Sequence, residues 1–176
     1  MSTVIWLFVT QSALGAFDTL YYHEYKARLP ALPAARGELQ LHAARDFIYT
    51  IFFSTLPFFA WQGWLAVLLA LLIVTEIGIT IADFIVEDRA RRQIGGVYPG
   101  ERASHTLMAL IYGAVLASLW PVLVRWFDAP TGFVSDPPSV PLALRIVMVL
   151  GAVGVFVSGI RDLLAVYGVT SWPWKR

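Results

Sequence analysis

The chain reads as an all-α polytopic membrane protein, a single domain of five transmembrane helices spanning residues 1–176. Three observations carry that reading. First, 58% of the residues are apolar and only 14% are charged, against about 25% charged in a soluble domain; mean hydropathy is +0.67. Second, apolar runs recur from end to end, most of them as long as the roughly 20 residues a helix needs to cross the hydrocarbon. Third, basic residues collect in alternate connections between those runs.

The first span is expected near residues 3–22. Its start, "VIWLFVTQSALGAF", has no basic leader and continues into "DTLYYHE" without a processing site, so it reads as a retained helix and not a cleaved signal. The loop that follows contains "RLPALPAARGE", whose prolines and glycine break the helix. A second span is expected near 44–60, short and interrupted by Pro57. It is joined to a third, near 63–86, by a tight "WQGW" turn. The alternative is one long kinked or re-entrant element in place of these two. A fourth span is expected near 104–126. The fifth, near 141–167, follows the start signal "PSVP" and carries the small residues Gly151, Gly154, Ser158 and Gly159, which suit close helix packing. No internal repeat suggests a two-half transporter.

Charge sets the direction. Lys26, Arg28, Arg36 and Arg45 lie between the first two spans, and Arg89, Arg91, Arg92 and Arg102 between the third and fourth. The "WQGW" and "DAPTGFVSDPPSV" connections carry no Lys or Arg, and the chain closes with Lys175 and Arg176. The positive-inside rule therefore puts the N-terminus outside and the C-terminus in the cytoplasm, in a bacterial inner (plasma) membrane. The arginines read mainly as markers of that side. Cysteine is absent, which excludes disulfides and thiolate chemistry, and no nucleic-acid-binding module is recognisable.

The five-span topology places most ionisable side chains at one depth, the cytoplasmic rim, including all three histidines: His23, His42 and His105. Residues three, four or seven apart share a helical face. That spacing joins His42 with Asp46, Asp83 with Glu87, and Glu101 with His105, with Glu76 seven before Asp83 and Tyr112 seven after His105. Asp18 and His23, five apart, are not expected to share a face. Carboxylates and imidazoles are the natural ligands of iron, zinc or manganese, and helical bundles hold two-metal sites from facing helices. The ligand set expected is His23, Glu24, His42, Asp46, Asp83, Glu87 and His105, with iron favoured over zinc or manganese. Glu76, Glu101 and Tyr112 are the expected catalytic groups. Glu76 is the most telling, because it sits about 16 Å deeper than Glu87 along its helix, where a carboxylate needs a partner or a cavity. The plainer alternative makes these interfacial charges, with Arg45–Asp46, Arg102–Glu101 and Arg161–Asp162 as structural ion pairs.

The function expected is a metal-dependent membrane enzyme on a lipid-like or apolar substrate entering from the inner leaflet. Oxygen-dependent hydroxylation or desaturation is favoured over zinc hydrolysis. A proton-coupled transporter or a non-catalytic subunit using Glu76, Asp83 and His105 as a polar network is the alternative. Membrane lipids and further copies of the chain are the other partners expected.

Overall fold

In a computed structural model, residues 1–135 and 140–169 are described. Asp136, the first half of the "PSVP" signal and the basic tail with Lys175 and Arg176 lie outside the described residues. Of the described residues 82% are helical. The helices are α1 (Ser2–Phe17), running on into a π-helical segment (Asp18–Ala27), α2 (Arg36–Thr55), α3 (Trp64–Ala90), α4 (Pro99–Phe127) and α5 (Leu142–Val166). Four stretches are long and apolar enough to cross a membrane: Ser2–Ala31, Trp64–Ala90, Pro99–Phe127 and Leu142–Val166. These are the dimensions of an integral membrane protein. α2 has the length, but Glu38, His42, Arg45 and Asp46 make it too polar to join them.

The helices alternate in direction, so the bundle has two ends of different chemistry. One end carries the three histidines and acids from α2, α3, α4, α5 and the π-helical extension of α1. The other is tied by a two-stranded antiparallel ribbon, β1 (Phe59–Gln62) with β2 (Gly132–Ser135), in which Trp61 faces Phe133 and Ala60 faces Val134. The tight turn expected at "WQGW" is thus half strand, and α2 begins at Arg36, eight residues earlier than the pattern suggested. The difference has a physical cause: Glu38 and His42 mask the apolar period at the start of α2, yet both are buried. Between the two ends lies an apolar core to which every helix contributes, through Phe8, Phe52, Leu69, Leu119 and Met148, each at most 2% exposed.

Gly63 closes the ribbon. Its φ of +61° is left-handed, its N–H bonds the Trp126 carbonyl at 2.8 Å, and a Cβ there would lie 2.6 Å from Thr131 Cα. Gly63→Ala is therefore expected to destabilise the protein by about 2 kcal/mol or more, from strain and clash together. A thermal melt equal to the parent's would contradict this. Gly159 has a different job. A Cβ there would stand 3.2 Å from Asp46 Cβ and 3.4 Å from the Ala43 carbonyl, so its bare backbone is what lets α5 lie close on α2.

Candidate metal centre

The polar end is organised by a break in helical period. From Asp18 to Ala27 the first helix widens into a π-helix, and the Arg28 N–H bonds the His23 carbonyl five residues back. This corrects the expectation that Asp18 and His23 occupy different faces. Five apart in an α-helix, they would diverge; in a π-turn, where bonds run from i to i+5, they stack. Asp18 Oδ2 lies 3.1 Å from His23 Nε2.

Two ligand groups assemble around this turn. In the first, His105 Nε2 lies 3.1 Å from the same Asp18 oxygen, and Glu101 Oε1 lies 3.0 Å from His23 Nε2. α4 has already begun at Pro99, so Glu101 and His105 share a face one turn apart. Ser104, between them, donates to the second oxygen of Asp18. The second group joins His42 Nε2 to Asp83 Oδ2 at 3.2 Å and to Glu38 Oε1 at 3.8 Å. Within each group the potential ligand atoms all lie within 4.8 Å of one another. Ligands about 2.0–2.2 Å from one ion have comparable spacing. The groups adjoin: the His23 and His42 rings stack with centroids 4.8 Å apart and 11° between their planes.

Three arginines brace the acids. Arg91 is wholly buried. Its Nε donates to Glu38 Oε1 at 2.9 Å, its terminal nitrogens bond Glu38 and Glu101, and Glu87 lies 3.9 Å away. Burial works against the guanidinium charge, but Glu38 and Glu101 outweigh it and raise the Arg91 pKa above its usual value. Arg45 holds Asp83 at 3.2 Å. Arg161 holds Glu24 and Asp162, each at 2.6 Å, and Asp162 in turn lies 3.8 Å from His42 Nδ1. The network so connected contains seven carboxylates (Asp18, Glu24, Glu38, Asp83, Glu87, Glu101, Asp162) and three guanidinium groups. With the three histidines counted as neutral ligands, seven against three leaves four negative charges among the described residues, the charge that two divalent ions carry. Among the described residues, buried oxygens on Glu38, Asp83, Glu87 and Glu101 also lack a hydrogen-bond donor, which leaves lone pairs open to a ligand. Such a site suits cations.

The comparisons add no relative. No protein-family model matches the chain, and no curated protein or solved structure matches it. The chemistry therefore rests on the residues themselves.

Of the residues singled out from sequence, His23, His42, Asp83, Glu87, Glu101 and His105 come together here; Glu87 Oε2 faces His105 Nδ1 at 3.8 Å. Glu24 stands beside them, ion-paired with Arg161. Asp46 does not join either group and packs instead against α5 at Gly159. Glu76 and Tyr112 lie deeper in the bundle. The ion pairs also differ from the sequence reading in two places. Arg45 reaches Asp83 across helices instead of its neighbour Asp46, and Glu101 is held by Arg91, leaving Arg102 to an exposed contact with Asp88. Asp18, Glu38, Arg91 and Asp162 were not picked out as site residues. The signal for Glu38 was present: it stands four before His42, the same spacing that joins Glu101 with His105.

Proposed function

We propose that this protein is a metal-dependent integral membrane enzyme with a two-metal centre near its cytoplasmic face. The observation that carries the reading is the meeting of three histidines and four acids from four helical segments as two adjoining groups. Asp18, His23, Glu101 and His105 hold one ion; Glu38, His42 and Asp83 hold the other, and Glu87 stands between Arg91 and His105 as a further oxygen donor. α2 is read as the fifth span, because its charged residues turn toward the centre and α5. The basic connections flank the polar end, which gives an N-terminus outside and a C-terminus in the cytoplasm.

The mixed oxygen–nitrogen ligand set favours iron and oxygen-dependent attack on an apolar, lipid-like substrate reached from the inner leaflet. Inserting one oxygen atom into a C–H bond consumes O₂, two electrons and two protons and releases water, so the reaction needs an external two-electron donor. Zinc-assisted hydrolysis is the less favoured chemistry. A transport route is less well supported, because among the described residues the buried polar face of α3 stops at Glu76, and its buried residues nearer the ribbon, Ile73, Leu69 and Ala66, are apolar.

Element-resolved analysis of gently purified protein tests the reading. The parent is expected to hold two transition-metal ions per chain, with at least one lost from folded His105→Ala and Asp83→Ala variants. A parent that neither retains metal nor takes it up on dialysis overturns it.

A further inference from the structure

The candidate metal centre is not equally covered on all sides. The side chains assigned to the two ions are at most 6% exposed, except His105 at 12%, and Glu87, which faces it, is at 10%. These two meet across the seam between α3 and α4. The His105 ring meets His23 at 85°, and it is stacked on Phe84 with centroids 5.4 Å apart and 18° between the planes. His23 belongs to the centre. Phe84 belongs to the surface, at 39% exposed, beside the exposed Ile81 and Ile85.

The seam has two levels. At the rim Arg102 and Asp88, both exposed, lie 3.7 Å apart. One turn deeper stand Phe84, four before Asp88, and His105, three after Arg102. The exposed side of α3 below the rim is apolar, through Leu68, Leu71, Val74, Ile81 and Ile85, as a lipid-facing surface requires. An apolar molecule coming from water must pass the charged pair, whose desolvation it cannot repay. One coming from lipid meets a benzyl ring held by ring stacking and dispersion. A half-exposed ring changes rotamer on a nanosecond scale, and its turning away bares the His105 imidazole without moving a helix.

We infer that the apolar substrate reaches the centre sideways, between α3 and α4, and that Phe84 is the side chain it displaces. The inference rests on the two-metal reading proposed above and adds to it a route and a residue that sets specificity. Uncharged molecules that partition into lipid pass Phe84; charged molecules confined to water do not.

Iron-loaded protein in lipid nanodiscs tests this through the rate at which two chelators remove the metal. Bipyridine is neutral and enters lipid, whereas its dicarboxylate keeps the same chelating frame but is charged and stays in water. Phe84→Ala is expected to speed iron loss to bipyridine by about fivefold to tenfold, the rate equivalent of one lost ring contact. Loss to the dicarboxylate is expected to stay within about twofold of the parent's. Phe84→Trp is expected to slow loss to bipyridine, and Leu110→Ala, at an exposed position on another face of α4, to change neither rate. Iron content and melting midpoint equal to the parent's show that a variant is folded; if Phe84→Ala fails that check, Phe84→Leu takes its place. A variant that speeds both chelators alike has a loosened centre and not an opened route, and overturns the inference, as does a variant that changes neither rate. A parent with no metal to remove overturns the two-metal reading itself, and the inference with it.

Discussion

Arg91→Met is expected to be the most destabilising single substitution at the polar end, by about 3–5 kcal/mol. The side chain is wholly buried and bonds Glu38 and Glu101, acids from two different helices, with Glu87 close by. Removing it leaves the acids facing one another without their cation, which costs more than the lost hydrogen bonds alone. Arg91→Lys keeps the charge but cannot fork between two carboxylates, so it is expected to recover only part of the loss. Adding Glu38→Gln and Glu101→Gln to Arg91→Met is expected to restore stability while lowering metal content. Equilibrium unfolding in mild detergent, followed through the seven tryptophans, measures all three. An Arg91→Met protein as stable as the parent would contradict the bracing role.

Stripping divalent metal with a chelator is the second large effect expected. Each ion bound only by the folded state stabilises it by about 4 kcal/mol when free metal exceeds the dissociation constant a thousandfold. Removal also leaves the acids of the two groups facing one another without their ions. The midpoint is expected to fall steeply with chelator and to return on adding back the metal. Glu76→Gln is expected to show the same fall, because Glu76 belongs to neither ligand group. A midpoint indifferent to chelator in a protein shown to contain metal would mean that the ions sit elsewhere.

Much of this architecture was legible in the chain. The apolar runs gave four helices near their observed positions, and the depth argument gathered the three histidines before any geometry was known. Three features were hidden, each for a physical reason. The π-turn after Phe17 has no residue that announces it; "DTLYYHEY" looks like a frayed helix end, and only tertiary pairing of Asp18 with His105 and Ser104 shows why the period changes. Arg91 looked like one more cytoplasmic arginine beside Arg89 and Arg92, because its partners Glu38 and Glu101 come from distant segments. The β1–β2 ribbon joins two short loops whose pairing depends on how the helices bring them together.

The close packing of α5 on α2 bears on how the chain is made. α2 carries Glu38, His42, Arg45 and Asp46, and a helix with that load is a poor candidate to enter lipid alone. Its most extensive contacts are with α5, the last of the five to be synthesised. Until α5 emerges, α2 must wait at the membrane surface or in the company of α3, with part of its polar face uncovered. Insertion of the second helix is therefore completed by the fifth, and a nascent chain halted after α4 is expected to be recognised and degraded instead of stored.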